Sequence, residues 1–182
     1  MRSHKPYISI IVLFVLASVV ACSNTSTKSP DVADNIRKAL EDGKFRDVSV
    51  SQDRDKGVVT LTGTAASEAD KAQAESIAQS IAGSQVVANE IAVRPPGSES
   101  AAKKVSADLD KGIEQNFHAV LVQNKLERSV KYEVKNGVVT LTGTVNSQTK
   151  RAMVEKLATG VPNVQQVVNE LQVKNQKATS SS

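Results

Sequence analysis

Gly57-Val58-Val59-Thr60-Leu61-Thr62-Gly63-Thr64 recurs unchanged as Gly137-Val138-Val139-Thr140-Leu141-Thr142-Gly143-Thr144. The match runs without a gap from Ser49–Val93 against Ser129–Val173 and takes in Ser67 with Ser147, Ala72 with Ala152, and Asn89-Glu90 with Asn169-Glu170. Identity of that length in constant register is a duplication, so whatever one copy folds into, the other must also fold into. A chain of 182 residues leaves room for one or two domains. The duplication decides for two, each of about 65 to 70 residues. Domains so small bury little surface and are marginal unless they pack on a neighbour. Trp is absent and aromatics are few, so both cores must be built from Val, Ile, Leu and Ala.

Each copy reads as α-β-β-α-β. In the first, Ser29-Pro30-Asp31 supplies a cap, a proline for the first turn and an acid for the helix dipole. Val32, Ile36 and Leu40 follow as one apolar stripe, and Gly43 stops the helix. Ile113, Phe117 and Leu121 make the equivalent stripe in the second copy, with Val105 and Leu109 extending it backward. Alternating Val48 and Val50, then Val130, Tyr132 and Val134, predict first strands. Turns at Asp55-Lys56-Gly57 and Lys135-Asn136-Gly137 lead into Val58–Thr62 and Val138–Thr142; Asn-Gly is a strong hairpin signal. Gly63 and Gly143 are read as ending the second strands, so Gly57, Gly63, Gly137 and Gly143 are structural turn glycines. Ser67, with Asp70 in a capping box, and Ser147 start the second helices. Ala74, Ile77, Ala78 and Ile81 form one buried stripe, and Val154, Leu157, Ala158 and Val161 form the other. A last strand places Val87, Asn89, Ile91 and Val93, or Val167, Asn169, Leu171 and Val173, on one face. The fold class is therefore α/β (α+β), with two tandem domains, each a three-stranded mixed sheet packed on two helices.

These residues resemble the BON (bacterial osmotically inducible and nodulation) domain: an apolar helix, Val-x-Val, Asn-Gly-Val-Val-x-Leu-x-Gly, an Ala-rich helix, then Val-x-Asn-x-Leu-x-Val. The resemblance covers residues 31–94 and 105–174, with 95–104 read as a linker and 175–182 as a disordered tail. Lys56 stands where the second copy has Asn136.

The first residues are not part of a fold. Arg2 and Lys5 form a positive start, and Ile8–Val20 is apolar except for Ser9 and Ser18. At about 13 residues, roughly 20 Å as a helix, it is short for a permanent membrane span. Val19-Val20-Ala21-Cys22 is similar to a lipobox, with Val19 where Leu is typical. That resemblance implies a signal peptide over 1–21, S-diacylglycerol and N-acyl groups on Cys22, and a flexible tether over 22–30. Two or more acyl chains anchor stably. Ser23, rather than Asp, after the Cys implies sorting to the outer membrane, facing the periplasm. Cys22 is the only cysteine, so neither domain has an internal disulfide. A lipobox with two such domains resembles the dual-BON outer-membrane lipoproteins, which implies envelope support and contact with phospholipid, not catalysis.

The residues themselves offer little chemistry. His4 and His118 lack partners at metal-ligand spacing. Asp53, Arg54, Asp55 and Lys56 read as a solvated hairpin tip in preference to a calcium loop. Gly57 and Gly63 flank a strand and do not open a helix, which excludes a phosphate cradle. Asn89 and Asn169 read as structural hydrogen-bonding groups. No Ser, His and Asp grouping suggests a nucleophile. The net charge of +4 includes no dense basic patch with interleaved aromatics, so nucleic acid is not an expected partner. No cofactor, metal or small-molecule substrate is expected.

The charge balance does differ between the copies: the first is the more acidic and the second slightly basic. The second is therefore the better candidate for an anionic membrane surface, through Lys150, Arg151, Met153 and Lys156 on its second helix and Phe117 on its first; the competing reading makes Phe117 core and the cations an ordinary solvated helix face. Membrane lipid, anionic phospholipid above all, is the expected partner. The alternative is an envelope protein-interaction or chaperone-like module for which the lipid is only a tether.

Overall fold

The computed structural model describes residues 28–174; the leader, Cys22 and the tail expected over 175–182 lie outside the described residues. The first unit runs α1 (Ala33–Asp42), β1 (Val48–Asp53), β2 (Val58–Ala65), α2 (Glu68–Ala82), β3 (Val86–Asn89) and β4 (Ala92–Val93). The second repeats it as α3 (Glu99–Gln123), β5 (Val130–Lys135), β6 (Val138–Val145), α4 (Gln148–Thr159), β7 (Gln166–Asn169) and β8 (Gln172–Val173). In each mixed sheet the second strand is central: β1 is antiparallel to β2, and β3 and β4 are parallel to it. The second sheet is built alike. Each sheet thus holds four strand segments rather than three. The pairs Leu61↔Asn89 and Thr64↔Ala92 keep one register, so β3 and β4 are the expected last strand, interrupted at Glu90-Ile91.

The glycine opposite that interruption is the reason for it. Gly63 lies inside β2 and Gly143 inside β6, not at strand ends or turns. Their φ values are +110° and +117°, a region closed to other L residues. The resulting kink lets Thr64 N–H reach the Asp47 carbonyl at 3.1 Å, and Thr144 N–H the Ser129 carbonyl at 3.2 Å. A Cβ on Gly63 would stand 1.9 Å from the Asp47 oxygen, and one on Gly143 2.4 Å from the Ser129 oxygen. Gly57 and Gly137 are turn glycines. Asn136 (φ +48°) and Gly137 (φ +80°) form the two-residue turn closed by Lys135↔Val138, both with the positive φ that such hairpins need.

Two helix starts depart from the expectation. Val32, not Ser29, is the N-cap residue of α1 and makes no side-chain cap bond. Gln52 of β1 explains the shift: its side chain accepts from Val32 N–H at 3.1 Å and donates to the Pro30 carbonyl at 2.7 Å, pinning 29–32 against the sheet. In the second unit the helix already begins at Glu99, inside the segment expected to be a linker; its buried stripe starts only at Ile113, and the turns before that overhang toward the first unit. Ser67 and Ser147 cap α2 and α4 as expected, accepting from Asp70 and Lys150 N–H at 3.1 Å.

Each core lies between its sheet and its two helices. Ile36, Leu40, Val59, Leu61, Ala74, Ala78 and Ile91 fill the first; Ile113, Phe117, Leu121, Val139, Leu141, Val154 and Ala158 fill the second. Replacing Gly63 or Gly143 by Ala combines positive-φ strain with a backbone clash and should cost about 3 kcal/mol or more in urea unfolding. Gly83 also has positive φ (+65°, with ψ −118°) but open space around its Cβ position; Gly83→Ala carries the backbone strain without the clash and should cost less than Gly63→Ala in the same urea unfolding.

Candidate functional site

The five residues expected to meet lipid do not share one surface. Phe117 is fully buried in the core of the second unit and packs edge-on against Tyr132 at a ring separation of 5.0 Å. Arg151 turns toward the sheet and donates from Nη2 to the Asn169 carbonyl at 2.7 Å. Its Nε is buried without a partner among the described residues. Lys150, Met153 and Lys156 do lie together, at i, i+3 and i+6 on the outer side of α4. Met153 is 42% exposed, Lys156 is exposed and Lys150 is half-buried. The first unit has Asp70, Gln73 and Ser76 at the corresponding places of α2. The same scaffold position is thus cationic and apolar in one unit, anionic and polar in the other.

The units meet along a seam that the repeat alone does not reveal. Val58 and Ala88 of the first pack on Val138 and Val168 of the second. These are corresponding residues of the two copies, so the contact is close to two-fold symmetric. Two ion pairs flank it: Lys56 Nζ to Glu170 at 2.7 Å, and Lys135 Nζ to Glu90 at 2.9 Å. The hydrogen bond to Glu170 raises the Lys56 pKa. Asn136 Nδ2 donates to the Glu90 carbonyl at 2.8 Å.

The symmetry is broken at Gln166. Gln166 bridges the free edge of β3, accepting from Asn89 N–H at 2.9 Å and donating to the Val87 carbonyl at 2.7 Å. Its counterpart is Val86, 47% exposed, which cannot make either bond to β7. Asn89 and Asn169 are structural, each tying its last strand to the helix above. Their Nδ2 groups donate to Lys71 O and Glu75 Oε2, and to Arg151 O and Glu155 Oε2.

A cavity of about 420 Å³ opens where the overhang of α3 crosses the first unit. Lys71 of α2 lies on its wall, only 7% exposed, and donates to Gln165 Oε1 at 2.9 Å. Burial pushes its pKa down, against the pull of Glu68, Glu75 and Asp110. Lys71 and Gln166 carry no signal in the sequence, since each matters only through the other unit; the overhang is foreshadowed by Val105 and Leu109, which extend the α3 stripe backward. Among the described residues no group of three or more His, Cys, Asp or Glu could hold a metal, and no described helix is long and apolar enough to cross a membrane.

Residues 29–95 and 109–175 each match the BON domain. The chain belongs to the BON domain family. Osmotically-inducible protein Y of Escherichia coli K12 is 31% identical over 142 residues, 76% of this chain and 69% of its own length. Two solved chains of CdsD, a structural protein of the type III secretion system of Chlamydia trachomatis, are 16% identical with TM-scores of 0.30. They cover 79% and 78% of this BON protein, which spans 66% and 61% of them; a likeness so loose carries no argument.

Gln166→Leu should strand the Asn89 N–H and the Val87 carbonyl and lower stability by about 1 to 3 kcal/mol, whereas Val86→Gln should be neutral or stabilising; urea melts of both variants check this. The lysines predict opposite pH slopes. Lys71, with its folded pKa lowered, binds fewer protons folded than unfolded, so stability rises with pH up to the ordinary lysine value of about 10.4. Lys56, with its folded pKa raised, stabilises fully below that value and loses its contribution as pH climbs past it. Lys71→Met should remove the rise and Lys56→Met the fall, measured as unfolding midpoints between neutral pH and about pH 11.

Proposed function

We propose that this BON protein is a non-catalytic lipoprotein, anchored through Cys22 to the periplasmic side of the outer membrane, whose second unit docks on anionic phospholipid and supports the envelope under osmotic stress. The observation that carries the reading is the divergence on one scaffold position: Lys150, Met153 and Lys156 on α4 against Asp70, Gln73 and Ser76 on α2. Duplication starts the two copies equal, so a cationic strip around an exposed methionine on one copy distinguishes the surface that faces a partner. Each cation near an anionic leaflet contributes about 1 kcal/mol, and an exposed thioether side chain adds apolar area at the headgroup boundary. Such contacts are weak alone. A lipid anchor at Cys22 holds the domains within reach of the bilayer and makes weak contacts effective. The induction named in the similar Escherichia coli protein supports a role in osmotic stress.

Sedimentation of the chain from Ser23 onward with vesicles tests this directly. All described elements lie within that chain. It should bind vesicles containing phosphatidylglycerol, release them in high salt, and ignore phosphatidylcholine alone. Lys150→Glu with Lys156→Glu should weaken binding by about ten-fold or more, while Gln73→Glu on the first unit changes nothing. Failure to bind anionic vesicles would overturn direct lipid recognition and turn the search to an envelope protein partner. Palmitate labelling of the full chain, lost in Cys22→Ser, tests the anchor separately.

A further inference from the structure

Lys71 is an unusual residue for the surface of a small domain. The residue is only 7% exposed, yet its ammonium has one neutral acceptor, Gln165, among the described residues. An ammonium has three N–H donors, and a buried charge is costly unless paired and hydrogen-bonded. No carboxylate of the described residues comes within 4 Å of it. The acids nearby are committed elsewhere. Both Asp110 oxygens accept from the Asn136 and Gly137 amides at 2.8 and 2.9 Å, Glu75 accepts from Asn89 at 2.9 Å, and Glu68 sits on the exposed rim.

Much of the cavity wall is aliphatic, with Arg94, Asp110 and Asn136 among its polar members. Ile91 and Val93 come from the first unit, Val105 and Leu109 from α3. Val105 is 58% and Leu109 45% exposed although both face the other unit. Small residues at Ser98, Ala101, Ala102 and Ser106 keep the helix from filling the gap. The volume of about 420 Å³ falls in the range of small-molecule sites, whose usual make-up is an apolar wall with a few placed polar groups. Arg151, the counterpart of Lys71, shows the contrast: among the described residues α1 is short and has no such overhang, and the guanidinium bonds the Asn169 carbonyl of its own unit.

We infer that this cavity binds a single-chain aliphatic amphiphile with an anionic head: the head meets the Lys71 ammonium, and the chain covers Ile91, Val93, Val105 and Leu109. A carboxylate or phosphate supplies the acceptors that the protein withholds. A chain removes from water the apolar side chains that the two units leave uncovered. The site uses none of the residues assigned to the vesicle surface, so it stands or falls apart from that reading.

Isothermal titration of the chain from Ser23 onward, with probes below their micelle concentrations, tests it. Laurate, lauroyl-lysophosphatidate and dodecyltrimethylammonium share a chain length and differ in the head. Binding of laurate marks a fatty-acid site. Binding of lysophosphatidate alone marks a lysophospholipid site. Either supports the inference, provided that the cationic probe binds at least about ten-fold more weakly. Lys71→Met should weaken the anionic probe by about ten-fold or more. Ala102→Trp, which fills the cavity from α3 without touching the seam, should abolish binding with an unchanged urea midpoint. Lys150→Glu with Lys156→Glu should leave the affinity as it is. Absence of binding by both anionic probes, equal binding of the cationic one, or unchanged affinity in Lys71→Met or Ala102→Trp would each overturn the inference.

Discussion

Val58, Ala88, Val138 and Val168 close into an apolar contact that neither unit could make alone. Its polar frame fixes how the units sit. Gln166 covers the open edge of β3, Asn136 reaches the Glu90 carbonyl, and the Lys56–Glu170 and Lys135–Glu90 pairs close the flanks. An exposed strand edge invites pairing with other chains, so a side chain that satisfies it protects the sheet as well as joining the units. Small domains with cores of Val, Leu and Ala gain from such a neighbour, because each alone has a large surface for its volume. The cavity beside Lys71 exists because this seam holds the first unit under the overhang of α3.

The duplicated pair works as an internal comparison. Where the backbone demands a residue, the copies agree: Gly63 and Gly143 at a kink that a Cβ would obstruct, Ser67 and Ser147 at helix starts, Asn89 and Asn169 tying strand to helix. At several positions that face outward or across the seam they differ: Asp70 against Lys150, Gln73 against Met153, Val86 against Gln166. The agreements describe the fold. Those differences give one copy contacts or surface chemistry that the other lacks, as with Gln166 at the seam and Met153 on α4.

Much of the architecture was legible from local pattern. The apolar stripes of the helices, the Asn136-Gly137 turn and the serine caps rest on interactions within a few residues. The errors share one cause. Ser29-Pro30-Asp31 has good helix-start chemistry, but Gln52 from a distant strand holds that segment extended. Phe117 on a helix stripe could face a core or a lipid, and only the sheet beneath it settles which. Gly63 and Gly143 look like strand ends; the cross-strand bonds of Thr64 and Thr144 carry each strand past them. Arg151 reads as one more cation of a solvated face until the Asn169 carbonyl is placed within its reach.

The sequence by itself determined the duplication, the order of elements, the composition of the cores and the turn chemistry, because period, propensity and capping act over a few neighbouring residues. Only the tertiary structure decided which of the two copies' equivalent side chains meet, that a strand edge would be covered by Gln166, and that Lys71 would be buried without a carboxylate beside an aliphatic cavity. Those outcomes depend on residues about 80 to 115 positions apart in the chain. Side chains that far apart are brought together only when two finished domains pack, and no local pattern encodes the angle at which they do so.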